Sequence, residues 1–143
     1  MVTDGERVAT IDLPSGNVSN IRSWKRGSSM AAAFSPDGKH LAISRHREIW
    51  VIDPKTGDVR ATLKGTGSII RGLIFHPDSN RLLASGAEGT VDIWDVSESA
   101  QIGSIDFQTS RARNVLAISP DRSLVAAVRN SPGQTIKVAR MPE

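Results

Sequence analysis

The chain has 143 residues, a net charge of +3 and no cysteine; that length allows a cored domain, and the missing thiol excludes disulfides, thiolate metal sites and a cysteine nucleophile. A hydrophobic fraction of 38% with 23% charged residues belongs to a globular chain, not a disordered one. The opening residues carry Asp4 and Glu6 and no apolar run, and no stretch approaches the roughly 18 apolar residues of a membrane span, so neither a secretory signal nor a membrane anchor is expected and a cytoplasmic or nuclear setting is.

In chain order, short apolar or alternating runs predict strands over 8–13 and 18–23, then 30–34, 41–44, 48–52 and 59–63. A further set fills 70–107, and three more strands are predicted over 114–118, 124–128 and 135–139. Turns such as Pro36-Asp37-Gly38 and Pro54-Lys55-Thr56-Gly57 separate them, because Pro sets φ at a corner and Gly accepts a positive φ. No window sustains a helical i, i+3, i+4, i+7 stripe.

The chain also repeats itself. Phe34-Ser35-Pro36-Asp37-Gly38 recurs as Phe75-His76-Pro77-Asp78-Ser79 and as Ile118-Ser119-Pro120-Asp121-Arg122, with the prolines 41 and 43 residues apart. Ile11-Asp12 and Gly16 match Ile52-Asp53 and Gly57 at a spacing of 41, and Asp95 follows Asp53 by 42. Two independent marks share one period, and it lies in the range of roughly 40–45 residues taken by a four-stranded propeller blade. With strands lettered a to d outward from the axis, residues 1–24 hold strands c and d of a preceding blade. Residues 28–64 and 68–107 are complete blades, and 111–143 is an incomplete blade with a, b and c.

These residues resemble the WD-repeat family, divergently, over nearly the whole chain. The best blade runs from Phe75-His76-Pro77-Asp78 through Leu83-Ala84-Ser85-Gly86 to Gly89-Thr90-Val91-Asp92-Ile93-Trp94-Asp95. The first full blade, with Ile49-Trp50-Val51-Ile52-Asp53-Pro54-Lys55-Thr56-Gly57, is also similar to YVTN-type propellers, and the last has Ala139 and Arg140 where Trp-Asp is expected. The resemblance implies a polar network of His, Ser, Asp and Trp in each blade. Only Ser85 and Trp94 match it in the best blade, with Thr66 at the His position and Glu88 at the Asp position. Blade rigidity is therefore expected to rest on apolar packing, and Ser85, Trp94, Phe34 and Phe75 are expected to be structural.

The fold class expected is all-β, with propeller blades of four antiparallel strands, about three blades plus incomplete ends. Thirteen strands are predicted, and propellers close with about 4–8 blades. Three arrangements protect the end strands from exposure. The chain is part of a longer propeller, or it homo-oligomerises so that the N-terminal d strand of one copy completes the a–b–c sheet of another, or it is an open arc packed on a different subunit.

Chemistry is sparse. His40, His46 and His76 share no metal-ligand spacing, so structural or solvated roles are expected and no metal or cofactor is. Gly65-Thr66-Gly67-Ser68 lacks the third Gly and the following helix of a dinucleotide fingerprint and reads as a d–a loop. No Gly-x-Ser-x-Gly elbow occurs, and no catalytic constellation is visible, so a non-enzymatic role is expected. A hydrolase-like or YVTN-like propeller enzyme with a central site is the alternative.

The loops sort by charge. The face with the d–a and b–c loops collects Lys25, Arg26, Arg45, Arg47, Lys64, Arg111, Arg113 and Arg129 against Glu48 and Glu88, net +6, whereas the a–b and c–d face sums to −4. The acids open turns, where Asp bonds its own backbone; the basic half has no such local cause. A cationic, Arg-rich face attracts carboxylates and phosphates. The function expected is a non-catalytic scaffold binding an acidic or phosphorylated peptide or protein through Arg26, Arg45, Arg47, Arg71, Arg111 and Arg113. Nucleic acid is a less favoured partner, because Trp24 is the main aromatic residue there and base stacking has little to use.

Overall fold

A computed structural model describes residues 2–3, 7–11, 14–23, 31–64, 67–107, 112–129 and 135–141. The described residues form strands only: β1 (Val2–Thr3), β2 (Arg7–Ile11), β3 (Val18–Ser23), β4 (Ala32–Phe34), β5 (Leu41–Arg45), β6 (Glu48–Ile52) and β7 (Val59–Lys64). These are followed by β8 (Ile70–Phe75), β9 (Arg81–Gly86), β10 (Thr90–Asp95), β11 (Ala100–Asp106), β12 (Ala112–Ile118), β13 (Leu124–Arg129) and β14 (Thr135–Arg140). They make four antiparallel meanders in sequence order: β1 to β3, β4 to β7, β8 to β11 and β12 to β14. The second and third sheets have four strands each, and the fourth has three.

The N-terminal sheet has one strand more than the sequence pattern reveals, because two residues are too short to show a period. Its lettering follows from the repeat, since β2 ends at Ile11 as β6 ends at Ile52, which marks β3 as a d strand with β7 and β11. Register shifts by one residue at Ile21 in β3, Arg60 in β7 and Ile102 in β11. These bulges, at equivalent positions in β7 and β11 and two residues further along in β3, raise the local twist of each d strand. β2 is then c, as expected, and β1 is b. Because β3 already belongs to a sheet with β1 and β2, adding it to the three strands β12 to β14 would give a six-stranded sheet, not a blade.

Period-two alternation explains the packing. Along β5, Ala42 faces the third sheet while Leu41 and Ile43 face the other way with Ile52. Along β9, Leu82 and Ala84 pack with Ala42, Ile49, Val51 and Leu63 of the second sheet, and Leu83 packs with Val125 and Ala127 of the fourth. Strands buried on both faces read as continuous apolar runs instead of clean alternation, which is why these segments are so apolar. The sheets approach each other chiefly through their first strands, β4 and β5 against β8, and β8 and β9 against β12. The first strands thus line the inner side of the arc, and the turns fall at its two ends.

Candidate functional site

Main-chain hydrogen bonds show which turns share an end. Ile70 N–H, opening β8, donates to the His46 carbonyl in the β5–β6 turn at 3.0 Å, and Ala87 N–H in the β9–β10 turn donates to Ile69 at 3.1 Å. At the other end Asp37 N–H donates to Ser79 Oγ at 3.1 Å, joining the β4–β5 and β8–β9 turns. The expected pairing of d–a with b–c loops, and of a–b with c–d turns, matches this geometry.

The first end brings together Arg45, Arg47 and Arg71. The β5–β6 turn is tight, and His46 takes φ 57° to close it, which leaves Arg47 exposed at the tip. The Arg45 guanidinium lies 4.5 Å from the centre of the Trp50 ring; a cation over an aromatic face covers the ring without neutralising the charge. Arg71 stands where the β8–β9 register slips between Ile70 and Gly72. Its side chain is half-buried and its Nε is shut from water with no hydrogen-bond partner among the described residues. Exposed Lys64 stands opposite Glu48 on β6. Arg26 and Arg111 lie outside the described residues. Arg113 is on β12, where the register is irregular between Ala112 and Leu116, and its side chain is outside the description.

Of the residues expected to be structural, Phe75, Ser85 and Trp94 are buried. Ser85 Oγ and Trp94 Nε1 have no hydrogen-bond partner among the described residues, Glu88 is exposed, and Thr66 lies outside the description. Trp94 is held by apolar neighbours, as expected for an altered network. Phe34 differs from Phe75: the second sheet covers Phe75, whereas Phe34, on the face turned away from the third sheet, is 49% exposed.

The histidines are scattered. His76 is 1% exposed, and its Nδ1 lies 2.8 Å from Asp78 Oδ2. It takes the place of the serines of the sister turns, where Ser35 Oγ donates to Asp37 at 2.6 Å and Ser119 Oγ to Asp121 at 2.5 Å. Burial works against ionisation of Asp78, but the main-chain N–H and guanidinium of Arg81 and the N–H of Asn80 outweigh it and bring the carboxyl down to about 2. Asp92 is the reverse case: burial pushes it up, and the bonds from Ser104 and Gln101 compensate only in part. Among the described residues no three His, Asp or Glu side chains converge as metal ligands.

One feature escapes sequence reasoning. At the end opposite the arginines, a groove of about 590 Å³ opens between the β4–β5 and β6–β7 turns, lined by residues 37–40, 53–55 and 60. Its signal in the sequence is Pro54, which stands where the later blades have Val96 and Met141.

Comparison with known proteins shows what part of this chain is similar to. Residues 57–95 match the family described as WD domain, G-beta repeat. They span β7 of one sheet to β10 of the next, so the sequence repeat straddles two blades. The chain is 30% identical over 94 residues to the transcriptional corepressor LEUNIG_HOMOLOG of Arabidopsis thaliana, a match covering 57% of this chain and 12% of that protein. It is 31% identical over 97 residues to WD repeat, SAM and U-box domain-containing protein 1 of Danio rerio, covering 65% and 17%. A third match, 42% identical over 53 residues, is to human Striatin-4, covering 37% and 7%. The chain thus spans less than a fifth of each of these relatives. Among solved structures, Kuenenia stuttgartiensis hydrazine synthase superposes with a TM-score of 0.80 at 19% identity, covering 95% of this chain and 40% of that one, a likeness of fold alone. From the recurring four-stranded sheets, the match over 57–95 and these relatives, we conclude that the chain carries a WD repeat within a run of β-propeller blades.

Proposed function

We propose that this propeller segment is a non-catalytic protein-interaction scaffold that receives an acidic or phosphorylated peptide segment on the end bearing the d–a and b–c loops. The observation that carries this reading is that the Ile70–His46 hydrogen bond joins two segments in which Arg45, Arg47 and Arg71 are the residues next to the bonded pair. Arg47 is exposed, and Arg71 has a buried Nε without an acceptor among the described residues. An unsatisfied buried donor costs about 1–3 kcal/mol, and a carboxylate or phosphate binding the guanidinium gains a charge-assisted bond. The relatives support a scaffold role, one being titled a transcriptional corepressor, which accords with a nuclear or cytoplasmic setting. No helix among the described residues is long and apolar enough to cross a membrane.

The test is fluorescence anisotropy with a labelled Glu-rich peptide and its phosphoserine counterpart. Reversing Arg45 and Arg47 to Glu is expected to weaken binding about tenfold or more. Unchanged affinity overturns the reading. A single-stranded oligonucleotide bound more tightly than either peptide, with the steeper salt dependence of phosphate-backbone contacts, would assign the surface to nucleic acid instead.

The fourth sheet supports a further proposal, self-association. Register places Ile136 and Val138 of β14 where Val91 and Ile93 of β10 stand. Val91 and Ile93 are buried against the next sheet, whereas Ile136 and Val138 are 67% and 59% exposed. We infer that this face takes another sheet of the same kind, supplied by a second copy of the chain.

A further inference from the structure

Two sheets close one turn onto another with the same main-chain bond. Val96 N–H donates to the Asn80 carbonyl at 2.9 Å, and Met141 N–H donates to the Ser123 carbonyl at 2.8 Å. Asn80, Ser123 and Lys39 occupy one position of the repeat. Each precedes the residue whose carbonyl closes the turn: Arg81 accepts from His76, Leu124 from Ser119 and His40 from Ser35. The same register puts Pro54 where Val96 and Met141 stand. Proline has no N–H, so the Lys39 carbonyl receives no such bond. The third sheet adds a side-chain clasp, with Asn80 Nδ2 donating to Asp95 at 3.0 Å and Asn80 Oδ1 accepting from Ser97 N–H at 3.1 Å. The second sheet has Lys39 and Lys55 at those places. With both clasps missing, the turns stand apart and the groove opens.

We propose that this groove is a second docking site, taking an acidic residue of a peptide segment. Its own carboxylates are already engaged. Asp37 Oδ1 accepts from Ser35 Oγ and from Lys39 N–H at 3.1 Å. Asp53 accepts from Lys55 N–H at 2.8 Å, Thr56 N–H at 3.3 Å and the Arg60 guanidinium at 2.9 Å. The groups left over are the ammonium groups. Lys39 Nζ is 3.5 Å from Asp37 with a side chain 76% exposed, too long for a good hydrogen bond, and Lys55 is exposed with no ion pair among the described residues. On an end whose turns sum to −4, three cations line this groove against two acids, a local excess of one. A complementary guest brings an anion for the lysines and an N–H for the Lys39 carbonyl. An Asp or Glu in a peptide carries both, whereas inorganic phosphate carries only the first.

The experiment is an NMR amide titration with a hexaglutamate peptide, run on the Arg45→Glu/Arg47→Glu protein so that the opposite end contributes little. Shifts are expected at Lys39 and Lys55. Lys39→Glu/Lys55→Glu is expected to weaken binding about tenfold, the sum of two surface ion pairs, and Pro54→Ala, which restores the N–H, is expected to weaken it as well. Both pairs of lysine and arginine substitutions lie on the surface, and circular dichroism checks that each variant folds. Shifts absent from the groove, or either variant binding with unchanged affinity, would overturn the proposal while leaving the arginine end untouched. Phosphate producing the same shifts at the same affinity as the peptide would also overturn it, reducing the site to one for simple anions.

Discussion

Asp78 shows how a turn residue carries stability. Its folded carboxyl sits at about 2, below the unfolded value near 3.8. A depressed acid contributes stability that is present above its unfolded pKa and is lost as pH falls through the folded one, here between about 4 and 2. Asp78→Asn is expected to flatten the acid limb of a pH series of urea unfolding curves relative to the parent; the other turn aspartates are common to both proteins and cancel. An unchanged slope between pH 4 and 2 would remove Asp78 from this role. Arg122 offers a test of backbone strain. It holds φ 67° at the position that Gly38 fills in the second sheet, and a side chain there costs about 1 kcal/mol or more. Arg122→Gly is therefore expected to raise the midpoint of thermal unfolding, an effect that a destabilised variant would refute. The Pro-Asp turns themselves were legible in the sequence, because Asp and Pro act locally. The positive φ at Ser79 and Arg122 was not, because neither residue type asks for it; only alignment with Gly38 hints at it.

At the scale of strands and turns, the period of about 42 residues came from two kinds of mark, the turn after each a strand and the Asp closing the c strands of the second and third sheets, and the structure places both at the strand ends. β1 stayed hidden because two residues carry no alternation, and the bulges at Ile21, Arg60 and Ile102 because they depend on pairing, not composition. The arginine end was partly legible. Loop charge could be sorted once the strands were lettered, which placed Arg45 and Arg47, but the unpaired Nε of Arg71 follows from a register slip that no pattern announces. The groove at the other end was illegible for a similar reason. Pro54 looks like an ordinary turn residue until the register shows that its counterparts donate the closing hydrogen bond.

For the whole molecule, the arc of sheets leaves one apolar surface that its own repeat logic covers elsewhere. If a second copy seals the fourth sheet, light scattering behind size-exclusion chromatography at tens of micromolar will read a mass above that of one chain. Ile136→Lys/Val138→Lys is expected to reduce it to a monomer with little change in thermal midpoint, since both side chains are already in solvent. A parent protein that is monomeric at that concentration would contradict the second copy as the occupant.

The central claim concerns which end of the arc meets a partner. Amide shift mapping of the unsubstituted chain with the phosphoserine-containing, Glu-rich peptide tests it most directly. The strongest shifts are expected along Arg45 to Arg47 and at Ile70 and Arg71, saturating together. A map that leaves those five positions still, with shifts confined to the opposite turns or to β14, would contradict the arginine end as the principal binding surface.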